Sequence, residues 1–282
     1  KFILVNLIIL LLLILFFTWF LNKKRKNEKE QKNQIVAQKH LVDEKNREIL
    51  DSITYAKRIQ TAILPADKFV KEHLKDSFII YKPKDIVAGD FYWVEPIGND
   101  VLFAVADCTG HGVPGALVSV VCHNALNRAV REFKLISPAE ILDKTREIIL
   151  NEFQKSDENV NDGMDISIGK LNLETKQLEW SGANSPLWII NQNEIIELAP
   201  SKQPIGQFTN YEPFKNSVVQ LKSKDTVYLF SDGYADQFGG EKGKKLKSKK
   251  MKEIVLSIQN RSMSDQKIYL ESFFEDWKSN LE

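Results

Sequence analysis

The sequence predicts an α+β domain that follows a membrane-spanning helix and a helical linker. Residues 2–21 form an uncharged apolar run, residues 27–63 contain neither proline nor glycine, and short β-branched runs begin after residue 69. Two long helical patterns interrupt those runs as a pair, and strands follow each other through short turns. This order favours antiparallel sheets over regular β-α-β repeats.

Composition excludes several classes of protein. Of the 282 residues, 43% are hydrophobic and 27% are charged, which is typical of a globular protein and not of a disordered, collagenous or disulfide-stapled chain. The net charge of +1 gives no support to binding of a polyanion by the whole chain, so no nucleic-acid partner is expected. Cys108 and Cys122 are the only cysteines, which indicates a reducing compartment. The chain begins with Lys1 rather than Met, so we expect it to be part of a longer protein.

Residues 1–21 are predicted to cross a membrane. After Lys1, only Asn6 and Thr18 are polar, and a helix of about twenty residues spans about 30 Å, the thickness of the hydrocarbon core. A signal sequence or a buried core helix is the alternative, but a signal sequence has a shorter apolar core and a small-residue cleavage site. The basic run at 23–26 follows at once, which predicts that the rest of the chain lies in the cytoplasm.

Residues 22–64 are predicted to form a basic anchor and a helical coiled-coil linker. Stepping by fours and threes through residues 35–63 traces a seam with a period of 3.5 residues. Asn46 occupies a seam position at which a single Asn favours a parallel coiled coil of two helices in one register. We therefore expect a parallel homodimer through this segment. The alternative is a single solvated helix packed on its own domain, because Lys39 and Gln60 weaken the seam.

Residues 65–282 are predicted to form one globular domain. Pro114 and Pro138 stand near the starts of the two long helices, where a missing N–H costs nothing, and Ser137 is a ready N-cap. The predicted strands cover 77–82, 90–95, 100–106, 164–171, 177–181, 187–191, 194–198 and 226–231, and the predicted helices cover 114–133, 138–153, 249–259 and 264–280.

Three aspartates mark the candidate site. Asp90, Asp107 and Asp232 stand at ends of apolar runs near glycines, in the segments AGDFYW, LFAVADCTGHG and VYLFSDGYAD. A carboxylate at the tip of a buried strand is costly unless it is paired, hydrogen-bonded or metal-bound. Several converging oxygen ligands would suit Mg²⁺ or Mn²⁺. An isolated Asp-Gly is more often a simple turn, so spacing alone leaves metal binding open.

Five segments carry a family resemblance. In chain order they are KPKDIVAGDFYW, VLFAVADCTGHGVPGALVS, DGMDISIGKL, LEWSGANSPLWII and TVYLFSDGYADQFGG. Together they resemble the SpoIIE-like branch of the metal-dependent (type 2C) serine/threonine protein phosphatases, in its membrane-anchored bacterial form. The resemblance covers residues 65–280. It implies an α-β-β-α sandwich of two antiparallel sheets flanked by helices, with two Mn²⁺ or Mg²⁺ ions bound between the sheets at one edge.

The resemblance also implies individual roles. Asp107 matches the metal-bridging aspartate, Asp90 the earlier acidic ligand and Asp232 the later one. The backbone carbonyl of Cys108 would be a further ligand. These groups would act through a metal-bound water that attacks the phosphorus of a phosphoserine or phosphothreonine.

Four residues have weaker assignments. Asp162 and Asp165 fall near the segment at which some relatives bind a third metal. Lys84 could contact the substrate phosphate, or be an ordinary solvated lysine. His111 could be the general acid for the leaving serine, although a structural role at the entry to the helix is the alternative.

The chain departs from the family pattern at its end. The family has a last strand that opens on an Asp-Asp pair, one of which binds metal, whereas this chain contains no such pair and stops at Glu282. The last strand is therefore expected to be missing, either because the chain is truncated or because the natural protein lacks it. Either case would impair binding of the second metal.

The lysine-rich segment 241–252 contains seven lysines. Its composition predicts either a solvated loop and the start of a helix, or a surface patch that attracts an acidic substrate or anionic lipid.

Taken together, these features predict a signalling phosphatase at the bacterial inner membrane, acting on a phosphorylated regulatory protein of the anti-sigma-factor-antagonist type. The alternative is a non-catalytic pseudophosphatase that dimerises and binds a phosphorylated partner.

Overall fold

The computed structural model describes residues 2–153, 161–191 and 194–279. The chain divides into two compact units, residues 1–55 and residues 56–282.

Helix α1 covers Phe2–Ile63. Its residues up to Tyr55 form the first unit, and residues 56–63 belong to the second. Every side chain from Phe2 to Phe20 is exposed, although nearly all of them are apolar. A helix that is apolar on all sides needs lipid or another protein around it. In length and composition this helix is able to cross a membrane. Beyond the apolar stretch, the ammonium group of Lys23 lies 5.0 Å from the centre of the Trp19 ring.

The described residues of the second unit form three antiparallel sheets. Its strands are β1 (Phe91–Ile97), β2 (Asp100–Cys108), β3 (Met164–Asn172), β4 (Gln177–Ala183), β5 (Leu187–Asn191), β6 (Glu194–Leu198), β7 (Ser217–Gln220), β8 (Thr226–Leu229), β9 (Phe238–Gly239) and β10 (Lys244–Lys245). A five-stranded sheet has the order β1-β2-β3-β4-β7, a three-stranded sheet the order β6-β5-β8, and β9 pairs with β10.

Six helices accompany these sheets in the described part of the second unit. They are α2 (Asp67–His73), α3 (Gly112–Arg131), α4 (Pro138–Phe153), α5 (Gly233–Asp236), α6 (Lys247–Ser257) and α7 (Met263–Lys278).

Three of the four apolar clusters among the described residues stack these elements into the predicted α-β-β-α sandwich, and the fourth contains Val70, Val94 and Val101. Helices α3 and α4 cover the five-stranded sheet, where Leu126 and Ile149 are completely buried. Trp180 belongs to the core between the two larger sheets. Trp188 and Val255 belong to the core between the three-stranded sheet and helices α6 and α7. Since side chains alternate along a strand, β5 contributes to both of the latter cores, which explains its continuous apolar run.

The predicted elements are confirmed except for one strand, and five elements of the structure were not predicted: α2, β7, α5, β9 and β10. The prediction of a strand at 77–82 is wrong, because these residues are not in a strand and no described strand pairs with them. Its side chains still alternate, with Phe78 and Ile80 in one core and Ile79 in another. Conversely, β7 was not predicted, because it is a short, half-exposed edge strand. Helix α7 ends at Lys278, and residue 280 of its predicted range lies outside the described residues.

Candidate active site

Strand register brings three carboxyl groups to one end of the five-stranded sheet. Phe91 pairs with Ala106, so Asp90 and Asp107 lie side by side where β1 begins and β2 ends. Asp107 in turn pairs directly with Asp165 at the start of β3. The predicted ligands Asp90 and Asp107 and the weaker candidate Asp165 are therefore neighbours.

The fourth carboxyl group comes from the other sheet. Asp232 follows β8 and directly precedes helix α5. The Asp107 carboxyl interacts electrostatically with the carboxyl groups of both Asp90 and Asp232. Ser231 strengthens this junction, because its hydroxyl donates to Asp90 Oδ2 at 2.6 Å. The site thus lies at the edge where the two sheets meet.

The electrostatics of this cluster favour a bound cation. The pKa of Asp107 is raised to about 8, first by burial and then by the neighbouring carboxyl groups of Asp90, Asp232 and Asp165. Burial also raises the pKa of Asp165, against the opposing effect of a hydrogen bond from Asn184. Carboxylates crowded in this way repel each other unless a positive charge lies between them.

The donor set fits Mg²⁺ or Mn²⁺. Within the described residues, no group of three or more His, Cys, Asp or Glu side chains converges closely enough to enclose an ion alone. Mg²⁺ does not require such a cage, because it keeps several waters and is usually held by one or two carboxylates together with substrate phosphate. The donors available here are hard carboxylate and carbonyl oxygens, and zinc would prefer nitrogen or sulfur.

Close backbone packing surrounds the cluster. A Cβ atom on Gly89 would lie 2.7 Å from the carbonyl oxygen of Gly110 and 3.1 Å from that of Cys108. A Cβ atom on Gly115 would lie 2.4 Å from the same Gly110 oxygen. Only glycine allows these segments to approach so closely. The contact places the Cys108 carbonyl against the residue that precedes Asp90.

The Cys108 side chain is buried in the core that contains Cys122. A hydrogen bond with the Cys122 thiol and burial raise the pKa of the Cys108 thiol well above its ordinary value. A thiolate is therefore disfavoured, and Cys108 is unsuited to be a nucleophile.

Asn184 and Ser231 were missed in the sequence interpretation. The amide nitrogen of Asn184 donates to Asp165 Oδ1 at 2.9 Å, and its backbone has a φ of +54°. Asn tolerates this left-handed conformation better than most residues, so its place after SGA was an available signal. Asp162 lies in the segment before β3, half-buried, and its side chain makes no hydrogen bond or ion pair with another described residue.

His111 and Lys84 lie outside the carboxylate cluster. His111 directly precedes α3, and its side chain is 79% exposed, with Nδ1 2.9 Å from Asp85 Oδ2. The sequence interpretation did not include Asp85 as its partner. Lys84, which directly precedes Asp85 in the chain, is exposed and forms no ion pair with any residue that the structure describes. Their predicted roles in proton transfer and phosphate binding stay predictions.

Gln60, near the end of α1, supports the backbone segment that leads into the site. Gln60 is only 6% exposed, and its Nε2 donates to the Ala88 carbonyl at 2.6 Å and to the Ser119 hydroxyl at 2.9 Å. Its Oε1 accepts from the Ala88 N–H at 3.0 Å. Ala88 lies two residues before Asp90. Gln60, one of the two residues that weaken the predicted seam, therefore forms hydrogen bonds with buried backbone groups of its own domain.

Comparisons with known proteins identify the family of the chain. The family model described as stage II sporulation protein E (SpoIIE) matches residues 97–270. The phosphoserine phosphatase RsbU of Bacillus subtilis (strain 168) is 24% identical over 195 residues, which are 67% of this chain and 55% of that protein. The chain thus spans little more than half the length of this curated relative.

Solved structures show the same fold. The SiaA-PP2C domain of Pseudomonas aeruginosa superposes with a TM-score of 0.77 at 30% identity, over 84% of this chain and 93% of that one. The PP2C phosphatase domain of SpoIIE from Bacillus subtilis, with a fragment of its regulatory domain, has a TM-score of 0.53 at 19% identity, over 67% of this chain and 53% of that one. At the lower identity the likeness concerns the fold alone.

Proposed function

The chain belongs to the SpoIIE family, and on that basis we propose that it is a metal-dependent phosphatase that hydrolyses phosphoserine or phosphothreonine on a regulatory protein. The observation that carries the proposal is the meeting of Asp107 with Asp90 from its own sheet and Asp232 from the other. The name of the relative RsbU, a phosphoserine phosphatase, supports serine as the substrate residue.

The carboxylate cluster would hold two Mn²⁺ or Mg²⁺ ions. Asp107 would be the central ligand, because its carboxyl interacts with those of both Asp90 and Asp232. The Cys108 carbonyl would complete the donors, and Asp165 with Asp162 would serve a third ion. When bound, such cations lower the pKa of a coordinated water and neutralise phosphate charge.

Two further residues would act on the substrate. Lys84 is an exposed cation without an ion-pair partner among the described residues, so it is free to contact a phosphate oxygen. Asp85 contacts His111 at Nδ1, which leaves Nε2 as the nitrogen able to donate a proton to the departing serine oxygen.

The N-terminal helix would anchor the enzyme in the bacterial inner membrane. The exposed apolar side chains of residues 2–20 support this placement, and the basic run at 23–26 supports a cytoplasmic phosphatase domain. Within residues 35–63, the exposed part of the seam from Ile35 to Ile49 would pair with the same segment of a second chain in parallel, because Gln60 at the far end is buried against its own domain. A membrane signalling enzyme of this kind would act on a regulatory protein of the anti-sigma-factor-antagonist type.

The test is phosphate release from a phosphoserine protein by the 282-residue chain, with and without Mn²⁺. Asp107→Asn should abolish turnover and weaken Mn²⁺ binding. Asp100→Asn is the matched control, since Asp100 stands at the opposite end of β2 and accepts a hydrogen bond from Asn172 at 2.7 Å. A folded chain with neither turnover nor Mn²⁺ binding would favour the non-catalytic scaffold instead.

A further inference from the structure

Unpaired lysines cluster on one surface beyond the carboxylate site. Residues 241–252 contain seven lysines and one glutamate. Three of the lysines are neutralised locally: Lys245 by Asp236, Lys250 by Glu253 and Lys252 by Glu197. The other four are exposed and form no ion pair with a described residue; we call them the basic patch, and they are Lys242, Lys244, Lys247 and Lys249.

The backbone under the basic patch is anchored to the domain. The Gly240 N–H donates to the Trp277 carbonyl at 2.8 Å, and the Leu246 N–H donates to the Gln237 carbonyl at 3.0 Å. The side chains of Leu246 and Met251 are buried in the core beneath α6 and α7. The patch therefore belongs to a packed hairpin and helix, and its charges have a defined place on the surface.

The basic patch adjoins the candidate active site. Lys245 Nζ lies 2.5 Å from Asp236 Oδ2, and the Asp236 N–H donates to the Asp232 carbonyl at 2.8 Å. The hairpin that carries the patch thus contacts, through the Lys245 side chain, the helical turn that directly follows Asp232.

Stability of the local helix does not explain these charges. Helix α6 begins at Lys247 with no acidic residue in its first turn and no side-chain cap. Cations at a helix N-terminus oppose the helix dipole, so lysines are among the least favourable residues there. Their concentration is better explained by something that they attract.

We propose that the basic patch is a docking surface for acidic side chains that flank the phosphorylated residue of the protein substrate. This inference rests on the proposed phosphatase function. Four uncompensated positive charges beside the site complement an acidic protein segment and would raise its rate of association. A membrane surface fits the patch less well, because a bilayer in contact with residues this near the site would obstruct entry of a protein substrate.

The experiment compares two phosphoserine peptides that differ only in having acidic or neutral flanking residues. The full chain in neutral detergent is assayed with Mn²⁺ at low and high salt. We expect kcat/KM to be about tenfold higher for the acidic peptide at low salt, through KM, and the preference to shrink at high salt. Lys244→Glu with Lys249→Glu should remove the preference and leave hydrolysis of the neutral peptide and of p-nitrophenyl phosphate unchanged.

The matched control is Lys222→Glu with Lys224→Glu. These exposed lysines lie in the turn before β8, at the end of that strand away from Asp232, and should not alter the preference. Equal kcat/KM for both peptides in the wild type, or an undiminished preference in the patch variant, would overturn the docking surface.

Three further outcomes are distinguishable. Absence of turnover on every substrate would count against the proposed function, and binding of the two peptides to the Asp107→Asn variant, followed by fluorescence anisotropy, would then decide the docking question. Equal binding of both peptides would overturn the inference. Loss of binding to phosphatidylserine vesicles in the patch variant, with unchanged peptide kinetics, would assign the surface to lipid and also overturn it.

Discussion

Gln60 forms a two-point hydrogen bond with the backbone of Ala88, donating from Nε2 to the carbonyl at 2.6 Å and accepting the N–H at 3.0 Å. The pair mimics one rung of a β-ladder within a buried environment. It holds the segment that leads into Asp90, so a side chain of α1 contributes directly to the placement of a candidate metal ligand.

Replacement of Gln60 by Ala should therefore destabilise the domain. Two buried backbone groups of Ala88 would lose their partner, at a cost of about 1–3 kcal/mol in the free energy of unfolding. Urea denaturation measures this change. Gln38→Ala, at an exposed position of the same helix, should have no measurable effect, and equal losses in both variants would contradict the assigned role.

Replacement of Asn184 should have two separable effects: loss of the amide that donates to Asp165, and strain at a left-handed backbone position. Asn184→Ala and Asn184→Gly both remove the amide that donates to Asp165, so both should weaken Mn²⁺ binding by a similar factor. Only the Ala variant places a Cβ at a φ of +54° without a compensating side chain, and it should be less stable than the Gly variant by about 1 kcal/mol. Titration with Mn²⁺ and thermal unfolding measure the two effects. A larger loss of Mn²⁺ affinity in one variant would argue against a shared amide role.

Gly115 is expected to be essential for site geometry. Its replacement by Ala would force the Gly110 carbonyl away from a contact of 2.4 Å and disturb the segment that carries Cys108. We expect weaker Mn²⁺ binding, measured by calorimetry. Gly98→Ala is the control, because its φ of +60° makes it strained while no atom lies within 4 Å of the added Cβ. That variant should lose stability and keep its Mn²⁺ affinity.

The proposed membrane anchor predicts different outcomes for two substitutions at one position. Leu12 stands near the middle of the apolar stretch, where Arg costs about 2.5–3.5 kcal/mol in insertion free energy. Leu12→Arg should shift the chain out of the carbonate-resistant membrane fraction, whereas Leu12→Phe should not. Equal membrane retention of the two variants would contradict a spanning helix.

The proposed parallel dimer can be tested with two neighbouring residues of α1. Ile49 and Leu50 are similarly exposed in the single chain, at 56% and 50%, but only Ile49 belongs to the predicted seam. Ile49→Lys should therefore lower the dimer fraction in analytical ultracentrifugation, and Leu50→Lys should change it much less. If both variants sediment as the wild type does, residues 35–63 do not form the interface.

Local patterns in the chain were sufficient to predict much of this protein. The apolar stretch at residues 2–21 and the helices α3 and α4 follow from hydrophobic periodicity and flanking residues, which act over a few residues and survive in any context. The same holds for most strands. The segment 77–82 shows the limit of this approach, because its alternation is strand-like but none of the strands that the structure describes pairs with it.

The site depends on relations that sequence spacing alone cannot define. The sequence by itself determined that Asp90, Asp107 and Asp232 end apolar runs near glycines. Only the tertiary structure decided that the two-sheet architecture brings them together, and that Ser231 and Asn184 donate to members of the cluster. The physical reason is that register and sheet packing join residues far apart in the chain. Asp90 and Ser231 are separated by 141 positions and yet share one hydrogen bond.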